Sequence, residues 1–85
     1  MPYEIIIERT ARKALNAIQR ADQIAIATAI ADLADDPRPT GCIKMKGREA
    51  WRIRVGDYRV IYEIEDEILI ISVVTIGHRR EVYKK

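Results

Sequence analysis

The chain has few of the residues that most readily carry chemistry. It contains one cysteine, Cys42, and one histidine, His78, among 85 residues. A single cysteine excludes a disulfide framework within the chain and a metal site built on thiols. A single histidine excludes a histidine cluster. No glycine-rich phosphate loop, nucleophile elbow or metal-ligand spacing is present, so neither metal nor cofactor is expected. Long apolar runs are also missing. None approaches the ~20 residues of a membrane span. The Met-Pro-Tyr-Glu start, with only three isoleucines behind it, lacks the pattern of a secretory signal. A cytoplasmic protein with no membrane partner is therefore expected. The net charge is only +2, and the total by itself names no partner.

The distribution of charge is more informative. Residues 1–43 carry five basic and six acidic side chains, whereas residues 44–59 carry six basic ones (Lys44, Lys46, Arg48, Arg52, Arg54, Arg59) and two acidic ones (Glu49, Asp57). Basic charge is thus concentrated in one short stretch, as at a site for phosphate, although a solvated basic strand has the same composition. At 85 residues the chain is one domain, 1–85, near the small end of what folds alone.

That stretch contains Trp51-Arg-Ile-Arg-Val-Gly-Asp-Tyr-Arg-Val-Ile-Tyr62. Apolar and polar residues alternate on both sides of Gly56-Asp57, the period of a strand with one buried face. Two such runs joined by a two-residue loop with glycine first make a hairpin, most simply on a type II′ turn. The turn dictates the register: Val55 faces Tyr58, Arg54 faces Arg59, Ile53 faces Val60, Arg52 faces Ile61 and Trp51 faces Tyr62. Trp51, Ile53, Val55, Tyr58, Val60 and Tyr62 form a core face. Arg52, Arg54 and Arg59 crowd the other, with like charges directly opposed at Arg54 and Arg59, an unfavourable pairing unless an anion belongs there.

Elsewhere, Tyr3–Ile7 is a short strand. Glu8–Arg20 has Ala11, Ala14, Leu15 and Ile18 at helical spacing. Asp22 is a plausible N-cap for a second helix running from Gln23 to about Ala34, joined to the first around Ala21-Asp22. Asp35–Gly41, with two prolines and a glycine, is a loop. Ile43–Met45 is a strand candidate with Lys44 and Lys46 opposite its apolar side. Asp66-Glu67 is a tight turn, and Ile68–Ile76 is so apolar and β-branched that it reads as a central strand. The order β-α-α-β-β-β-β gives an α+β fold: a mostly antiparallel twisted sheet packed on an N-terminal helical hairpin. The helices are expected to cover the Trp51/Tyr62 face and leave the arginine face open.

Two readings fit Arg52, Arg54 and Arg59. They are a phosphate cluster, since guanidinium binds phosphate bidentately and stays charged, or they solubilise a sheet face. Arg79 and Arg80 follow Gly77 at the end of the long strand, near Arg59 and the Gly56 turn if that strand pairs with its predecessor. His78 is either incidental or a candidate base, and Tyr83 is either a packed tail residue or a ring that stacks on a base or relays a proton. Lys44 and Lys46 either extend the basic face or guard a strand edge.

Taken together, the Trp51–Tyr62 run, the Leu33-Ala34-Asp35-Asp36-Pro37-Arg38 helix end and the Gly77-His78-Arg79-Arg80-Glu81-Val82-Tyr83 tail resemble the RelE/ParE toxin superfamily, specifically its RelE-like branch. The resemblance covers nearly the whole chain. It implies a toxin partnered by a cognate antitoxin, and an endoribonuclease that cuts mRNA in the ribosomal A site. The implied reaction is attack of the ribose 2′-hydroxyl on the adjacent phosphate, without metal. It places the catalytic positions at Arg52, Arg54, Arg59, Arg79 and Tyr83, with Lys44, Lys46, Arg48, His78 and Arg80 as further RNA contacts. Arg59 and Arg79 would hold the scissile phosphate, and Arg52 and Arg54 would stabilise charge. The family often has lysine at the two strand positions. Arginine does not readily lose a proton, so proton transfer falls to Tyr83 or His78. Two alternatives remain: the ParE-like branch, which inhibits DNA gyrase by protein contact, and an inactive module that only binds its antitoxin.

Overall fold

The computed structural model describes residues 2–78. Its elements are β1 (Glu4–Ile7), α1 (Arg9–Asn16), α2 (Arg20–Asp32), β2 (Ile43–Lys44), β3 (Trp51–Val55), β4 (Tyr58–Glu65) and β5 (Ile70–His78). The strands form one sheet in the order β1-β5-β4-β3-β2. β1 runs parallel to β5 and the other three pairings are antiparallel. The fold is α+β in the expected element order. β4 is the middle strand, and the apolar β5, expected at the centre, lies inside the sheet between β1 and β4, one place from the edge.

The β3–β4 hairpin has the register that alternation demands, from Val55↔Tyr58 to Trp51↔Tyr62, with Arg54 opposite Arg59. Gly56 has φ +60°, and Leu69 is the one non-glycine with positive φ among the described residues. Asp57 therefore does not share the positive φ of a type I′ turn, and glycine alone takes the left-handed position, as in type II′.

The core lies between the sheet and the helical pair. Ala11 and Leu15 of α1 and Ile26, Ile30 and Leu33 at α2 meet Ile53, Val60, Tyr62, Ile71, Val73 and Ile76. The two helices do cover the Trp51/Tyr62 face. Their boundaries differ from the sequence expectation. α1 ends at Asn16, not Arg20, and the connector is Ala17–Gln19, not Ala21-Asp22. Asp22 sits inside the first turn of α2, where its charge suits the positive end of the helix, and Gln19 holds the N-cap position. At the end of α1 the Gln23 amide donates to the Leu15 carbonyl at 3.0 Å, which also accepts from the Ile18 backbone N–H at 3.1 Å.

β5 begins two residues later than expected. Ile68 belongs to the preceding turn and is exposed. A bulge in the β4–β5 ladder falls between Ile61 and Tyr62. At β2 the register decides a face. Ile43 pairs with Arg52 and Lys44 with Trp51, so Ile43 shares the arginine side and Lys44 the tryptophan side, the reverse of what the basic residues were expected to do.

Candidate functional site: an arginine groove

Paired strands place side chains of opposite partners on the same face. Arg52 and Arg54 from β3 and Arg59 from β4 therefore project together from the side of the sheet away from the helices. Their environments differ. Arg54 is exposed and Arg52 half-buried, while Arg59 is 6% exposed. The face is thus not the uniformly open surface that alternation implies. Its neighbour Ile61, opposite Arg52, is buried as well.

The three arginines line a groove of about 440 Å³ together with Thr40, Gly41 and Ile43. That volume is in the range of small-ligand sites. The charge is permanent, since guanidinium keeps its proton at any physiological pH. The groove is fit to hold an anion with oxygens on more than one side, and its arginines are poorly suited to moving protons.

The loop that forms the second wall is fastened from the helix side of the sheet. The Tyr62 hydroxyl donates to the Pro37 carbonyl at 2.7 Å, and burial pushes that phenol well above its ordinary range. Arg38 donates to both carboxylate oxygens of Asp66, at 3.0 and 3.3 Å, and its guanidinium lies 5.0 Å from the Trp51 ring centre. The Tyr3 hydroxyl also donates to Asp66, at 2.6 Å. The Arg38 hydrogen bonds, then that from Tyr3, hold the Asp66 carboxyl below the usual carboxylate range.

Other expected site residues fall elsewhere. Lys44 is turned to the tryptophan side, where its ammonium donates to the Arg48 carbonyl at 3.1 Å and lies 3.7 Å from Glu49. It braces the turn between β2 and β3 and does not extend the arginine face. Lys46 and Arg48 are exposed in that turn and do not line the groove. Gly77 pairs with Arg59, so the end of β5 does lie beside the hairpin turn. His78 pairs with Tyr58, however, and makes an edge contact with its ring (centroids 5.7 Å, 77° between planes). With Ala14, Ala17, Ile18 and Gln19 it lines a second hollow, on the helix side. His78 therefore faces away from the arginine groove, and the sheet separates it from any phosphate held there. Arg79, Arg80 and Tyr83 lie outside the described residues.

Sequence reasoning missed the wall made by Thr40, Gly41 and Ile43, and the Arg38 clamp behind it. The only signals were an arginine between two prolines and an isoleucine ahead of the basic run.

Comparison with known proteins places this geometry. The family model described as ParE toxin of type II toxin-antitoxin system, parDE, matches residues 5–83. Toxin RelG of Mycobacterium tuberculosis (strain ATCC 25618 / H37Rv) is 30% identical over 89 residues, spanning 100% of both chains. Among solved structures, the archaeal RelE–RelB complex from Pyrococcus horikoshii OT3 matches with TM-score 0.83 and 28% identity over 93% of this chain and 97% of that one. The toxin–antitoxin complex RelBE2 of Mycobacterium tuberculosis matches with TM-score 0.80 and 26% identity, covering 93% and 100%. The chain belongs to the RelE/ParE superfamily, the toxins of type II toxin–antitoxin systems.

Proposed function

We propose that the chain is a RelE-like endoribonuclease that cleaves mRNA in the ribosomal A site and is neutralised by a cognate antitoxin bound to it. One observation carries this reading: Arg52, Arg54 and Arg59 converge on a single groove, and Arg59 is almost fully desolvated there. Removing water from a fixed cation strengthens its pull on a phosphoryl oxygen. The antitoxin partner is supported by the RelE–RelB and RelBE2 complexes that the fold resembles.

In the proposed reaction the ribose 2′-oxygen attacks the neighbouring phosphorus as the bond to the 5′-oxygen breaks, leaving a 2′,3′-cyclic phosphate and a 5′-hydroxyl. The 2′-hydroxyl gives up a proton and the leaving oxygen gains one. Negative charge on the phosphoryl oxygens rises in the transition state, and the arginines lower its energy there more than in the ground state. Arg59 and Arg79 hold the scissile phosphate, and Arg52 and Arg54 take up charge along the backbone. Neither strand arginine serves as base or acid. With His78 on the opposite side of the sheet, proton relay falls to Tyr83.

The test is primer extension on mRNA from translating ribosomes. The wild-type chain is expected to produce discrete cuts within A-site codons. Arg59→Ala should lower the rate by about 10²–10³-fold, as for removal of one transition-state donor. Absence of cuts with the wild type, combined with equal growth arrest by Arg59→Ala, would sink the reading.

The family model's ParE description favours a second reading, inhibition of DNA gyrase by protein contact. Blocked supercoiling in vitro with intact mRNA would select it.

A further inference from the structure

The arginine groove has two sides of unlike chemistry. One carries Arg52, Arg54 and Arg59, with Ile53 of the same hairpin between them. The other is Thr40, Gly41 and Ile43, a neutral wall with one hydroxyl and one sizeable apolar side chain. Ile43 is 49% exposed, on an edge strand only two residues long. It lies on the sheet side away from the core and pairs directly with Arg52, so its exposed surface contributes little to folding.

The wall is nevertheless held firmly. A segment with two prolines and Gly41 at φ +94° gets little rigidity from regular backbone pairing. It is held by Tyr62 on Pro37, by the Cys42 amide on the Pro39 carbonyl at 3.0 Å, by Arg38 on Asp66 and Trp51, and by Lys44 on the turn behind β2. All the side-chain ties come from the face opposite the groove or from its rim, and they leave Ile43 presented to it. Rigid placement of an apolar side chain beside three cations suits a ligand that is itself half anionic and half apolar. Free phosphate and polyphosphate have no apolar part to place there. A nucleotide has, in the face of its base.

We propose that Ile43, with Thr40 and Gly41 beside it, is the base-binding wall of the groove. A single-stranded nucleotide whose phosphate rests on Arg52, Arg54 and Arg59 lays its base against the Ile43 side chain, and the Thr40 hydroxyl offers one hydrogen bond to the base edge or ribose. The proposal rests on the phosphate reading of the arginines and adds specificity to it. The arginines grip every nucleotide alike, whereas the wall distinguishes a base from none and a large base from a small one.

The experiment measures binding of the full chain to a short single-stranded RNA, 2′-deoxy at the cleavable position, and to the same strand with an abasic site there. Fluorescence anisotropy at fixed salt reads both affinities. Wild type is expected to favour the base-bearing strand. Ile43→Ala should reduce that preference by about tenfold, the effect of removing three carbons from a half-buried contact, and should leave abasic affinity within about twofold. Ile43→Leu, which keeps the apolar volume, should restore most of the preference. Equal weakening on both strands would show Ile43 to be mere scaffold and overturn the proposal, as would a wild type indifferent to the base. The phosphate reading fails separately: Arg54→Ala would then leave both strands bound as tightly as before.

Discussion

Arg54 and Arg59 stand directly opposite each other, yet one is exposed and the other 6% exposed. Like charges across a strand pair repel, and burial raises the cost of the inner one. Tyr62 is buried and neutral, and its hydroxyl is committed. Its single donor goes to the Pro37 carbonyl. Tyr62→Phe keeps the ring and leaves that carbonyl short of a partner. The expected loss is about 1–2 kcal/mol, read as a fall of roughly 5–10 °C in Tm. The alternating pattern placed Tyr62 in the core. It held no hint that the hydroxyl ties down a loop 25 positions earlier in the chain.

At the scale of elements, the β3–β4 hairpin is the most locally determined part of the fold. Its register follows from period-2 alternation and a two-residue loop, because each is a short-range property. Gly56→Ala tests the turn. A Cβ at that position meets nothing within 4 Å, so the cost is confined to holding alanine at φ +60°, about 1–2 kcal/mol. Urea denaturation should show a lower midpoint with an unchanged slope. β2 behaves differently. A six-residue connection, 45–50, separates it from β3, and the parity of such a loop is not written in its residues. Lys44 was therefore expected beside the arginines, and Ile43 stands there instead. The helices show the same limit. Apolar spacing located both but not their ends: the connector falls at 17–19, where backbone bonds close the end of α1 and Gln23 reaches back to the Leu15 carbonyl.

For the molecule as a whole, the Tyr3–Asp66–Arg38–Trp51 cluster joins the N-terminus, the loop after α2, the β4–β5 turn and the start of β3. Its carboxyl has a lowered pKa, chiefly through the Arg38 hydrogen bonds. The folded protein therefore takes up that proton at lower pH than the unfolded chain. The cluster's stabilisation is fully present above the ordinary aspartate value of about 3.9 and is lost as pH falls through the lowered folded value. Asp66→Asn should make acid unfolding, followed by circular dichroism, less steep in that window. If wild type and variant fall in parallel, the carboxylate is not coupled to folding. Because Arg38 also braces the groove wall, acid should loosen the candidate site before the core between α1, α2 and the sheet gives way.

Sequence alone determined the features that rest on neighbours along the chain: the hairpin and its register, the helical pair, the apolar last strand, and three arginines on one face. It also carried the motifs by which the family resemblance was seen. Tertiary structure decided which further residues share that face. Ile43 joins the arginines, while Lys44 and His78 turn away, because the sides of β2 and of the last residue of β5 are fixed by pairing with distant strands. It also decided how deeply each arginine lies. Alternation assigns Arg52, Arg54 and Arg59 to one side of a sheet. Only the packing around that side makes Arg59 a desolvated cation and Arg54 a solvated one, since burial is a property of everything that surrounds a side chain in space.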